Sequence, residues 1–336
     1  MTHDTIGEPQ RPRANRTLIL KRSSTFLGLV AAIWFLLFQL DRTLFFIRPG
    51  ADAIYEVKLH HLRNEIVLPS DPVYPVRVIM FGNSRTLAGF RPAVFDDAIG
   101  LQCRSYNAGL PDSQHFVAIL DELLASGNRP THVLVQVPWA GADADLRPRE
   151  WLQQDERHIS TLFPFRKFPR NLVLFTFLSR RHGGPLAAYQ YCRNETLQML
   201  DQRGYYFIAG QSHFPDNRLP PDYSLPTDAP DELHPSRAVS TTSRSFVRLA
   251  ELAKKYDFQV YVVPDHMRMA AFAEPPPEDS AAVESLSGHE RFYAIGPAYW
   301  RYPNRFFADA VHLNEEGADK YTRQLAELLR PELRFE

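Results

Sequence analysis

The chain has 336 residues, of which 44% are hydrophobic and 23% charged, an ordinary composition for a globular protein. A net charge of −1, with no basic stripe or finger spacing, excludes nucleic acid as an expected partner. Two cysteines, Cys103 and Cys192, match no metal spacing and make no disulfide scaffold, so they read as buried free thiols or at most one bridge.

Residues 1–24 are polar and basic, carrying Arg11, Arg13, Arg16, Lys21 and Arg22, and read as a tail. Residues 26–40 are apolar except for Gln39. That run alone is short of the ~20 residues a membrane-spanning helix needs. Residues 25–47 suffice, with Asp41 and Arg42 near the far interface. The stretch is apolar on every face, unlike an ordinary core helix, and no small-x-small site follows it closely, unlike a cleaved signal. The expectation is therefore a single anchor in the lipid bilayer at 25–47. The excess of basic residues before it predicts a cytoplasmic N-terminus, with the remainder beyond the inner membrane. Residues 48–75 read as a linker.

A regular pattern then begins. The near-continuous apolar run Val76-Arg-Val-Ile-Met-Phe81 predicts a strand covered on both faces. A short helix is expected to open at Pro92, followed by a strand at 103–107. Asp112 is placed to cap a helix reaching about Ser126, with Phe116, Ile119, Leu120, Leu123 and Leu124 on one face. A third strand is expected at 132–137. This β-α-β-α-β order implies a parallel sheet with right-handed crossovers. Residues 140–240 break the pattern and read as an insertion or lid, helical near 185–202. A helix at 242–256, a strand at 258–263 and a last helix at 314–329 resume it, so 76–336 forms one domain.

In open parallel sheets, reacting groups gather beyond the carboxyl ends of the strands. Ser84, Gly109, Trp139 and the pair Asp265–His266 all fall there, and Asp309 and His312 precede the last helix. A serine hydroxyl is a weak nucleophile until a base takes its proton. His312 can be that base, and Asp309 can hold the imidazole's tautomer. A tetrahedral oxyanion needs preorganised N–H donors, and the amides of Ser84 and Gly109 are the candidates. Asp265–His266 is a rival acid–base pair, although adjacent residues at a strand end point apart. Arg85 is placed to bind an anionic substrate group or to form a salt bridge to a neighbouring helix. Asn107 is placed to contact substrate or to hold a turn. Trp139 is placed to stack on a sugar ring or to pack. No metal-ligand spacing, phosphate-cradling loop or dinucleotide fingerprint occurs, so no metal or cofactor is expected.

These blocks resemble the SGNH, or GDSL-like, hydrolase superfamily over roughly residues 76–139 and 258–330. Gly82-Asn83-Ser84 is similar to its nucleophile block, Tyr106-Asn107-Ala108-Gly109 to its second block, and Asp309-Ala-Val-His312 to its acid–base block. The run Phe307-Ala-Asp-Ala-Val-His-Leu-Asn-Glu-Glu-Gly-Ala318 is especially similar to membrane-anchored members, including relatives of DltD and of the alginate O-acetylation proteins. The resemblance implies a three-layer, flavodoxin-like α/β fold. It also implies a serine-dependent O-acyltransferase or acylesterase working on acylated glycans, with a membrane-bound O-acyltransferase as partner. One block departs from the family pattern. Where the family has Gly-x-Asn-Asp after the third strand, this chain reads Val137-Pro-Trp-Ala-Gly-Ala-Asp143, without the asparagine that completes the oxyanion hole. Losing one such donor costs about 10²–10³ in rate, which suits a dedicated transferase better than a fast esterase. A non-catalytic glycan-binding or scaffold subunit is the alternative.

Overall fold

The structure is a computed structural model and describes residues 14–48, 50–100, 102–110, 116–136, 162–163, 165–207, 212–232 and 238–333. A long helix, α1 (Ala14–Thr43), leads through a tight 3-10 turn at Phe45–Ile47 into α2 (Gly50–Asn64). Next come β1 (Val76–Phe81), α3 (Ser84–Gly89), α4 (Pro92–Ile99), β2 (Cys103–Asn107), α5 (Phe116–Ala125) and β3 (His132–Val135). A helical hairpin follows, α6 (Phe168–Arg181) and α7 (Pro185–Asp201). The chain ends with α8 (Arg244–Tyr256), β4 (Gln259–Val262), β5 (Asp265–Arg268), α9 (Ser280–Leu286), β6 (Phe292–Ala294), β7 (Tyr299–Tyr302) and α10 (Glu315–Leu329).

Strands β2-β1-β3-β4-β6 form one sheet in that order, every neighbouring pair parallel. Side chains alternate between two apolar cores. Ile79 and Phe81 of β1, Val133 and Val135 of β3, and Val260 and Val262 of β4 share one core with α2, α5 and α8. Val76, Val78, Met80, Leu134 and Tyr261 share the other with α4 and α10. Strands apolar on both sides need cover on both sides, and the helices supply it. The expected parallel α/β sheet is therefore present, with strand ends within two residues of expectation. The Asp112 cap lies outside the described residues.

Three features differ from the sequence reading. The stretch 48–75, read as a linker, contains α2, whose Ile54, Lys58 and Leu62 are fully buried. A second, two-stranded parallel sheet, β5–β7, stands apart from the main one. Its sequence Asp-His-Met-Arg has no apolar alternation to announce it. The apolar N-terminal helix also ends earlier than 47. The window long and apolar enough to cross a membrane is Lys21–Thr43, and its apolar side chains, such as Phe26 and Leu29, are exposed. Beyond Thr43 the chain leaves the helix because Arg48 turns back to Asp41 at 2.5 Å and also pairs with Glu56. Ile47 then packs with Phe168, Phe175 and Ala188 of the hairpin. Cys103 and Cys192 are both free and buried.

One buried titratable group at the sheet makes stability sensitive to acid. His132 is 3% exposed. Burial first, and the Arg77 charge second, push its imidazole down to about 4. The unfolded imidazole titrates near 6.5, so the folded form binds its proton later. The associated stability is complete above pH 6.5 and is lost as pH falls toward 4, at ~1.4 kcal/mol per pH unit. Chemical denaturation should show about 3 kcal/mol of such loss over that range. His132→Phe, which keeps a ring against Tyr261, should flatten this part of the profile; an unchanged profile would remove His132 as the cause.

Candidate active site

Ser84 opens α3 immediately beyond β1. Asn83 caps that helix, its Oδ1 accepting the Arg85 N–H at 2.9 Å, as asparagine does at helix starts. Gly82 is required by contact. A Cβ there would lie 1.7 Å from Thr86 Oγ1, so only glycine lets the turn fold so tightly onto α3.

The acid and base come from the loop before α10. Phe307 bridges Leu313 in antiparallel fashion, the Ala308 N–H donates to His312 O at 2.8 Å and the Asn314 N–H to Phe306 O at 2.9 Å. Inside that pinched loop, Asp309 Oδ1 accepts the N–H groups of Val311 and His312, each at 2.8 Å. Asn314 caps α10 through the Gly317 N–H at 3.0 Å.

The three side chains meet. His312 Nε2 lies 2.8 Å from Ser84 Oγ, and His312 Nδ1 lies 2.8 Å from Asp309 Oδ2. Burial alone would raise the Asp309 carboxyl, but its bonds to the His312 ring and to the two amides outweigh burial and hold it below the ordinary value. An ionised Asp309 accepts from Nδ1–H, which leaves the Nε2 lone pair directed at the Ser84 hydroxyl. This is the arrangement by which a hydroxyl becomes a nucleophile.

Other expected site residues fall differently. The Gly109 N–H donates to Asn107 Oδ1 at 2.9 Å, a turn in which an asparagine side chain binds the amide two residues on. That amide is taken, so the expected oxyanion role of Gly109 is not supported. Its glycine is needed for packing, since a Cβ would lie 2.5 Å from Leu87 N. Asn107 is fully buried. Its Nδ2 donates to the carbonyls of Thr86 at 2.8 Å and Phe90 at 2.6 Å, so it holds α3 and does not reach substrate. Arg85 forms a salt bridge at 2.8 Å, but to Asp265 on β5 and not to a helix. Arg85 also lines a cleft of about 170 Å³ beside the triad, together with Leu225, Met267, Phe272, Phe307 and Val311. His266 is fully buried against Phe307 and Tyr321 and lines the same cleft, while Asp265 is engaged by Arg85 and Gln136. Trp139 lies outside the described residues.

A polar network beneath the site was not anticipated. Thr86 Oγ1 donates to Gln136 Oε1, and Gln136 Nε2 donates to Asp265 Oδ1 at 2.7 Å. Gln136 follows β3 directly, and the one sequence signal was a glutamine within the apolar run 132–137.

Because the folded Asp309 carboxyl is depressed, its stability contribution is present above about pH 3.8 and disappears as pH falls through the lower folded value. Asp309→Asn, which can still accept the two amides, should therefore melt below the parent at neutral pH, with the gap closing in acid. An equal gap at all pH values would contradict an ionised Asp309. No family model, curated protein or solved structure matches the chain, so its own residues carry the functional reading.

Proposed function

We propose that this chain is a membrane-anchored SGNH-type O-acyltransferase or acylesterase. Its substrates are acyl esters, acetyl foremost, of a cell-surface polysaccharide, and a membrane-bound O-acyltransferase is its partner in supplying acyl groups. The observation that carries this reading is the unbroken hydrogen-bonded chain from Asp309 through His312 to Ser84. The parallel strand order β2-β1-β3-β4-β6 is the flavodoxin-like 2-1-3-4-5 order and supports the SGNH fold. The apolar Lys21–Thr43 helix supports a single-pass anchor. Basic residues ahead of it favour a cytoplasmic N-terminus and an external Ser84 domain.

In the proposed reaction Ser84 Oγ attacks the acyl carbonyl while its proton moves to His312 Nε2. The Ser84 N–H stands in the first turn of α3, where a helix offers no acceptor of its own, and donates to the forming oxyanion. Collapse breaks the bond to the leaving alkoxide, which takes the proton from His312. An acceptor hydroxyl, or water, then gives its proton to His312 and attacks the acyl-serine; the bond from the acyl carbon to Ser84 Oγ breaks, and Oγ takes the proton back from His312 Nε2. The cleft of about 170 Å³ lined by Arg85 and Val311, chain neighbours of Ser84 and His312, is smaller than the roughly 300–1,000 Å³ of drug-sized ligand sites and suits a short acyl group.

A scaffold subunit is the second reading, favoured by one observation: the Gly109 amide is already bonded to Asn107. Kinetics with an acetyl ester separate the two. Ser84→Ala or His312→Ala should lower kcat by about 10⁴-fold or more, and Asp309→Asn by about 10³–10⁴-fold, each with the fold intact. If Ser84→Ala leaves both ester turnover and polymer acylation in cells unchanged, the scaffold reading stands and the enzymatic one falls.

A further inference from the structure

We infer that the α6–α7 hairpin, with the residues leading into it, is a second contact with an anionic bilayer beside α1. The inference rests on the proposed reading of α1 as a membrane-crossing helix.

Three independent features converge. The first is an apolar face without a protein partner among the described residues. On α6 the buried residues Phe168, Asn171, Phe175 and Ser179 turn inward. Val173 and Phe177 are 58% and 63% exposed on the opposite side, with Leu172 and Leu174 exposed on the flanks. Leu162, Phe163 and Leu186 add 62%, 47% and 71% exposure. The second is charge. Between Leu162 and Arg193 the sequence carries Arg166, Lys167, Arg170, Arg180, Arg181 and Arg193 and no Asp or Glu, in a chain whose net charge is −1. Apolar and basic residues sharing one helical element are what a bilayer interface with anionic lipid selects.

The third feature is continuity with α1. Trp34 Nε1 donates to Leu162 O at 2.7 Å, and the Trp34 ring meets Phe165 edge-on at 5.8 Å. Trp34 is nine residues before Thr43, the end of α1, so at 1.5 Å per residue it lies roughly 13 Å inside that end. The membrane-crossing window of 23 residues is about 34 Å long against a hydrocarbon core of ~30 Å. Trp34 is two residues, roughly 3 Å, from the middle of that window, so Leu162 and Phe165 meet α1 within its apolar span. Farther along, Phe46 meets Tyr189 of α7 at 5.6 Å. The hairpin is also joined to the sheet domain, because Met199 packs with Ile54 of α2 and Leu87 of α3. A bilayer contact here would thus set the orientation of the domain that carries Ser84. A protein partner would explain the apolar face, but the run of basic residues does not call for one.

Depth-dependent quenching tests this on the full chain. Leu29→Cys in α1, Phe177→Cys and Leu186→Cys in the hairpin, and Val247→Cys on α8 each place an exposed thiol for a polarity-sensitive fluorophore. The native thiols are buried, and the unsubstituted chain gives the background. In phosphatidylglycerol vesicles containing acyl-brominated lipid, the hairpin labels should lose fluorescence as the Leu29→Cys label does, while the Val247→Cys label does not. The hairpin loss should shrink in purely zwitterionic vesicles. Quenching at Leu29→Cys alone would overturn the hairpin contact and leave the anchor standing. Quenching at no position would overturn both. No hairpin quenching in lipid, combined with protection of Phe177→Cys from labelling in native membranes, would assign the face to a protein partner and likewise overturn the proposal.

Discussion

Two backbone amides and one imidazole compete for a single carboxylate, and that contest organises the site. Asp309 gives Oδ1 to the amides of Val311 and His312 and Oδ2 to the His312 ring. The first pair of bonds shapes the loop. The third bond then has one direction available to it, so the ring of His312 is oriented by the fold of its own segment. Phe307–Leu313 pinches the loop at its base, and α10 fixes its far end. Gly317 packs so closely that a Cβ would lie 2.1 Å from Phe306 O. The base role proposed for His312 needs direction before basicity, and that direction is built from short-range bonds.

Ser84 is held by longer-range means. α3 is only six residues long, too short to be stable by itself. It is kept in place through its side chains and carbonyls. Asn107 binds the carbonyls of Thr86 and Phe90, and Thr86 joins the buried chain to Gln136 and Asp265, which in turn holds Arg85. Lys58 supports the same region from the opposite side. It is fully buried, and its Nζ donates to Gly109 O at 2.6 Å and Gly204 O at 2.7 Å. Burial drives its ammonium well below the ordinary lysine range, yet the carbonyls satisfy its donors. One lysine thus ties α2, the turn after β2 and the end of the α6–α7 hairpin together. Buried polar groups of this kind are costly unless every member finds a partner, which makes the platform under Ser84 specific to one arrangement.

How much of this the sequence shows depends on the range of the interactions. The strands at 76–81 and 103–107 were legible because buried parallel strands are written as local apolar runs. The helix at 314–329 was legible from its spacing of apolar residues. Ser84, Asp309 and His312 were legible because each sits in a short block at the end of an element. The role of Gly109 was not, and Asn107 was legible as a turn-holding residue but not as the brace of α3. Whether an amide is open or taken depends on where one side chain turns, and the Asn107 side chain turns to its own backbone. The roles of Lys58 and Gln136 were hidden for a related reason, although Gln136 stands out as a polar residue within the apolar run 132–137. A lone polar residue in an amphipathic or apolar stretch becomes structural only once distant carbonyls and carboxylates surround it. The hairpin's outward apolar face was hidden as well, because it declares itself only after α6 is seen to bury the opposite side.

The central claim is that Ser84 becomes a nucleophile through His312, and a covalent adduct tests it most directly. The folded chain would be mixed with an activated acetyl ester, quenched in acid and mapped by peptide mass spectrometry. The account predicts one acetyl group on the peptide containing Ser84, absent from His312→Ala. Acetyl found only on surface lysines, with Ser84 unmodified in the folded parent chain, would contradict it.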